Sequence, residues 1–130
     1  MNSRLALVDT SAFIEADRRP GCPIASAVVA AIANGRAAVC HVVAAELLTG
    51  CRSKPEYHEV ELLLSGLAWL PVTDECWTRA AALGFNLRRS GLTVPLTDRL
   101  VAVIARVHGA DLLHCDTHFD MIGDAADTLQ

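Results

Sequence analysis

The sequence predicts an α/β domain: a small, mainly parallel sheet of four or five strands, with helices on both faces. Three observations carry this. Short apolar runs of strand length alternate with longer stretches of helical spacing, the pattern that builds βαβ units. Of 130 residues, 52% are hydrophobic but only 5% aromatic, so the core is mostly Ala, Val, Leu and Ile. Such side chains suit helices packed closely on buried parallel strands. No repeat, low-complexity tract or long linker interrupts residues 1–130, so one core and one domain are expected.

The elements follow in order. Leu5-Ala6-Leu7-Val8 is an apolar run stopped by Asp9, and reads as a strand buried on both faces. Residues 11–18 read as a helix with Thr10 or Ser11 as N-cap. Pro20-Gly21-Cys22-Pro23 is a turn, and residues 24–33 form a helix closed by Asn34-Gly35. A strand over 37–41 leads to a helix over 42–49 that ends at Gly50. After a polar loop over 51–55, the helix 56–65 is expected to bury Leu62, Leu63 and Leu64. Residues 68–72 make a third strand around Trp69. Thr73 or Asp74 caps a long helix to about Ser90, with an apolar stripe of Cys76, Trp77, Ala80, Ala81, Leu83 and Gly84. Residues 91–95 connect it to a helix opened by Thr97 and stopped by Gly109. A fourth strand over 111–114, a helical turn over 118–122 and an edge strand in the last residues complete the chain.

Composition excludes several function classes. The formal charge of −4 argues against a basic, non-specific nucleic-acid binder, unless some of the acids hold a divalent cation. The five cysteines are odd in number and form no C-x-x-C pair, which fits a reducing cytosol rather than a disulfide framework; several lie in apolar surroundings and read as small core residues. No apolar run approaches the roughly 20 residues needed to cross a bilayer, and Asp9 interrupts the N-terminal run too early for a signal peptide.

The acids carry the functional argument. Asp9 and Asp116 each follow the carboxyl end of a strand, where open parallel sheets bind ligands. Glu46 lies near the start of a helix that follows a strand, with no base at i±3 or i±4. Asp98 opens a helix that precedes a strand, a position that helix polarity alone would also explain. Topology is expected to bring all four to one place. Gathering carboxylates raises their pKa values by mutual repulsion, and a hard cation such as Mg²⁺ or Mn²⁺ relieves it.

Four blocks make a resemblance specific: Val8-Asp9-Thr10-Ser11, Ala45-Glu46-Leu47-Leu48-Thr49-Gly50, Leu96-Thr97-Asp98-Arg99-Leu100-Val101-Ala102 and Leu113-His114-Cys115-Asp116-Thr117-His118-Phe119-Asp120. In order and spacing they resemble PIN-domain ribonucleases, nearest the VapC-type toxins of bacterial toxin–antitoxin (VapBC) pairs. The resemblance implies a three-layer α/β/α sandwich with an acidic pocket at the carboxyl edge of its sheet. Asp9, Glu46, Asp98 and Asp116 fall on the acidic quartet, with Asp120 as an auxiliary metal ligand. It further implies Mg²⁺- or Mn²⁺-assisted hydrolysis of RNA by an activated water, with one or two ions, and products bearing 5′-phosphate and 3′-hydroxyl ends. Arg18, Arg19, Arg88 and Arg89 are candidates for RNA phosphate contacts. A VapB-like antitoxin, homodimerisation through the helices 56–65 and 74–90, and a cytoplasmic location complete the expectation.

Rival readings are weaker. Cys40-His41 and His114-Cys115-x-x-His118 suggest zinc, but their spacing fits no standard site. A phospho-acceptor domain lacks a strand-end lysine, since Lys54 is the only lysine, and no phosphate-binding glycine motif occurs. An RNA-processing nuclease outside a toxin system and a catalytically silent binding module on the same fold remain as alternatives.

Overall fold

Strands and helices alternate almost throughout residues 4–123, the part that the computed structural model describes. The order is β1 (Ala6–Val8), α1 (Thr10–Arg18), α2 (Pro23–Ala33), β2 (Ala37–Val39), α3 (His41–Thr49), α4 (Lys54–Ser65), β3 (Ala68–Trp69), α5 (Asp74–Arg89), α6 (Leu96–Val107), β4 (Asp111–Leu113) and α7 (Thr117–Ile122). The strands pair in parallel in the order β3-β2-β1-β4. β1 is central, with Ala6 opposite Ala37 on one side and Val8 opposite Leu113 on the other.

The pleat divides the core. Leu7 and Ala38 join the larger cluster, with residues of α3, α5 and α6. Ala6, Val8 and Ala37 face the opposite way, onto Ala12 of α1 and Val28 and Ala31 of α2. Helices therefore cover both faces of a four-stranded parallel sheet, the three-layer sandwich that the sequence predicted. Asp9, Cys40 and the segment after Leu113 all leave the same carboxyl edge of this sheet.

Local details differ from the expectation. α1 is capped by Asp9 itself, which accepts the Ser11 N–H at 3.0 Å, rather than by Thr10 or Ser11. α4 begins at Lys54, inside the expected loop, because Ser53 caps it. Only Leu64 of its three leucines is buried; Leu62 is 74% exposed and Leu63 47%. Consecutive helical residues point about 100° apart, so three in a row cannot share a face. The same geometry leaves Trp77 and Ala81 of α5 outside and continues the buried stripe through Cys76, Ala80, Leu83 and Leu87. β3 is only two residues long, not five: Leu70 still donates to Val39 O at 2.9 Å, but Pro71 has no N–H to extend the ladder. β2 and β4 stop at Val39 and Leu113, since the residues beyond serve the next helix. α6 opens at Leu96, not Thr97. The expected terminal edge strand lies outside the described residues.

Candidate active site

Asp9 is the one buried charged side chain among the described residues, 3% exposed. Burial of an ionised carboxylate demands hydrogen bonds. Its Oδ2 accepts the Ser11 N–H at 3.0 Å and the Ser11 hydroxyl at 2.6 Å. Ser11 Oγ in turn accepts the Cys115 N–H at 3.0 Å. One hydroxyl thus ties the end of β1 to the segment between β4 and α7. Thr10, the first residue of α1, donates its hydroxyl to Glu46 Oε1 of α3 at 2.9 Å. Two residues that the sequence suggested only as caps therefore orient two of the acids.

Asp98, in the first turn of α6, accepts a hydrogen bond on Oδ2 from His118 Nδ1 at 2.7 Å. Asp116 caps α7 by accepting the His118 N–H at 2.9 Å, and its Oδ1 lies 3.3 Å from His118 Nδ1. Ligand atoms of Asp98, Asp116 and His118 all lie within 4.8 Å of one another. His118 is the residue that acid-based reasoning missed. Its signal was the Asp-x-His spacing at a strand end, which the sequence offered only as part of a zinc site.

Electrostatics tie the acids together. Partial loss of hydration raises the Glu46 carboxyl above its ordinary range; the Thr10 hydroxyl opposes this, and the charges of Asp9, Asp98 and Asp116 add to it. Asp98 is raised first by desolvation, against the hydrogen bond from His118, and further by Asp116 and Asp9. A carboxyl whose folded pKa is raised stabilises the fold below its unfolded pKa, and that contribution is lost as pH rises through the folded value. Ionised acids thus strain the metal-free protein at neutral pH. In EDTA at pH 7.5, Glu46→Gln should melt at a higher temperature than wild type, with the gap closing towards about pH 4, where carboxyls are protonated anyway. Thermal melts across that range check this; a lower melting temperature for the variant at pH 7.5 would count against mutual repulsion.

The remaining candidates fall elsewhere. Asp120 is exposed on the first turn of α7 and, like Asp9 and Glu46, is not one of the three clustered ligands; unlike Asp9, it is not among the charges that act on Glu46 or Asp98. Arg18 and Arg19 lie exposed at the end of α1, Arg19 paired with Glu15 at 3.0 Å. Arg88 and Arg89 are exposed at the end of α5. The zinc alternative finds no shared site: Cys40 is buried with its thiol pushed up by burial, His41 packs on Trp69, and His114 packs on Phe119.

Carboxylates and one imidazole at a sheet edge suit Mg²⁺ or Mn²⁺. Residues 6–125 match the family model described as PIN domain. Ribonuclease VapC11 of Mycobacterium tuberculosis is 37% identical over 122 residues, 91% of either chain. The chain is a PIN domain of the VapC branch. Ribonuclease VapC18 of the same organism is 31% identical over 119 residues, spanning 88% of this chain and 85% of that one. Among solved structures, VapBC2 from Rickettsia felis, bound to a promoter DNA fragment, superposes with a TM-score of 0.75 at 21% identity, covering 92% of this chain and 94% of that one. A toxin–antitoxin complex from Klebsiella pneumoniae gives 0.73 at 19% identity over 93% of each. These two show that the PIN domain here shares their fold. No helix among the described residues of this PIN domain is long and apolar enough to cross a membrane.

Proposed function

We propose that this PIN domain is a divalent-metal-dependent endoribonuclease and the toxin of a VapBC-type pair. The observation that carries the reading is the shared electrostatic environment of Asp9, Glu46, Asp98 and Asp116, in a chain 37% identical to a VapC ribonuclease. Asp98, Asp116 and His118, with Asp9 and Glu46, would hold the ion, with Asp120 as an auxiliary ligand. A bound Mg²⁺ or Mn²⁺ supplies the positive charge that polarises a phosphodiester oxygen and makes a water nucleophilic.

The chain's own groups do the rest. Ser11 and Thr10 hold Asp9 and Glu46 in place for the ion. The carboxylate oxygens of Asp98 and Asp116 not engaged by His118 orient the attacking water in line with the leaving 3′-oxygen, so the products carry 5′-phosphate and 3′-hydroxyl ends. Arg18 and Arg19 contact phosphates of a single-stranded or looped RNA. A VapB-like antitoxin restrains the enzyme in the cytoplasm, where the five free cysteines are kept reduced. Exposed Leu62, Leu63 and Trp77 supply a homodimer face. Incubation of the purified protein with single-stranded RNA should give cleavage in Mg²⁺ and none in excess EDTA; equal cleavage in both would overturn the proposal.

A further inference from the structure

Asp98 and Arg99 are consecutive in the first turn of α6 but serve different places. The Asp98 carboxylate joins the acidic cluster, whereas the Arg99 guanidinium runs beneath α5. There its Nε donates to Val94 O at 3.0 Å and its Nη1 to Ala80 O at 2.5 Å. It fits because position 84 is glycine: a Cβ there would collide with the guanidinium. Two edges are thus fixed on backbone carbonyls, and Nη2 has no partner among the described residues. Beside it opens a cleft of about 540 Å³, lined by Gly84, Phe85, Arg88, Arg89, Thr93 and Arg99 among others.

The cleft's charge is unusual. Three arginines line it and no acid does, in a chain of net charge −4. None of the three is in an ion pair among the described residues, although Glu15, Glu75 and Asp111 all neutralise arginines elsewhere. Like charges around one cavity repel, and an anion offsets that repulsion. At the rim, Phe85 is 62% exposed, with the Arg89 guanidinium 5.6 Å from its ring centre. Unneutralised guanidinium groups beside an exposed aromatic ring make the combination that holds single-stranded nucleic acid, phosphate on the cations and base on the ring.

We infer that this cleft is an RNA subsite, in which Arg88, Arg89 and Arg99 grip one backbone phosphate and Phe85 stacks an adjacent base. The inference deepens the ribonuclease reading and rests on it. Asp98 and Arg99 are adjacent in α6, so one helix contributes a side chain to the acidic cluster and the next to the cleft. An RNA strand gripped in the cleft would be held by the same helix that carries Asp98.

The test measures binding of a fluorescein-labelled single-stranded RNA 12-mer to the full chain in EDTA, over a series of salt concentrations, beside cleavage in Mg²⁺. Arg88→Gln/Arg89→Gln should bind about tenfold more weakly, with the slope of log affinity against log salt reduced by about 1. Phe85→Ala should weaken binding about tenfold with the slope unchanged. Arg52→Gln/Lys54→Gln, which removes the same charge from a loop and a helix start elsewhere, should stay near wild type. These variants change exposed side chains, so their folding is not at stake. If the cleft variants bind as wild type does while RNA is still cut, the subsite is wrong and the nuclease reading stands. If binding falls as expected but wild type cuts nothing, the subsite stands and the nuclease reading falls. If the cleft variants change the oligomeric state and leave RNA affinity alone, the cleft is a protein–protein seam and the inference is overturned.

Discussion

Asp98→Asn should cut RNA about a thousandfold more slowly than wild type, because the Lewis-acid contribution of a bound cation is several kcal/mol and each 1.36 kcal/mol is a factor of ten. The substitution is nearly isosteric, so the loss comes from charge. Asparagine still accepts the His118 hydrogen bond now made at 2.7 Å, which keeps α6 and α7 in contact. It also removes one of the charges that repel Glu46. The variant should therefore fold at least as well as wild type in EDTA while losing turnover. Single-turnover cleavage in Mg²⁺, paired with a thermal melt, separates the two effects. Wild-type cleavage by Asp98→Asn would remove Asp98 from the mechanism.

Ser11→Ala should weaken Mn²⁺ binding and slow cleavage by about 10- to 100-fold, the usual consequence of losing a group that orients a metal ligand. Ser11 is a positioning residue: its hydroxyl donates to Asp9 Oδ2 at 2.6 Å and accepts the Cys115 N–H at 3.0 Å. Alanine keeps the backbone cap on Asp9 but frees the carboxylate to turn, and it leaves the Cys115 N–H to water. Ser11→Thr restores the hydroxyl and should recover most of the affinity. A purely structural role would lower the melting temperature of Ser11→Ala without moving its Mn²⁺ affinity, and that result would contradict the assignment.

Much of this was legible in the sequence. Apolar runs ending in Asp9 and Asp116 announce strands whose carboxyl ends carry acids, because burying β1 on both faces requires an unbroken Ala-Leu-Val run. Glycine and cap residues marked most helix ends to within a residue or two. Two kinds of information were not legible. The first is which residue of an apolar cluster faces inward: Leu62, Leu63 and Leu64 are equally hydrophobic, and only the packing of α4 against α3 and the larger core cluster selects Leu64. The second is long-range pairing of polar side chains. Thr10 with Glu46, Ser11 with Cys115 and His118 with Asp98 join residues 36, 104 and 20 positions apart. Locally, Thr10 and Ser11 satisfy every criterion for a helix cap, so the sequence offered a sufficient explanation for them that was not the whole one. Arg99 shows the same limit. It reads as an ordinary first-turn residue until α5 is laid over it and Gly84 is seen to make room.

Calorimetric titration of Mn²⁺ into the metal-free protein at pH 7.5 asks whether Asp98, Asp116 and His118, with Asp9 and Glu46, form a site for a divalent cation. Saturable binding by wild type, abolished in Asp98→Asn/Asp116→Asn, is the expected result. Absence of binding by folded wild type, or equal binding by the double variant, would contradict it.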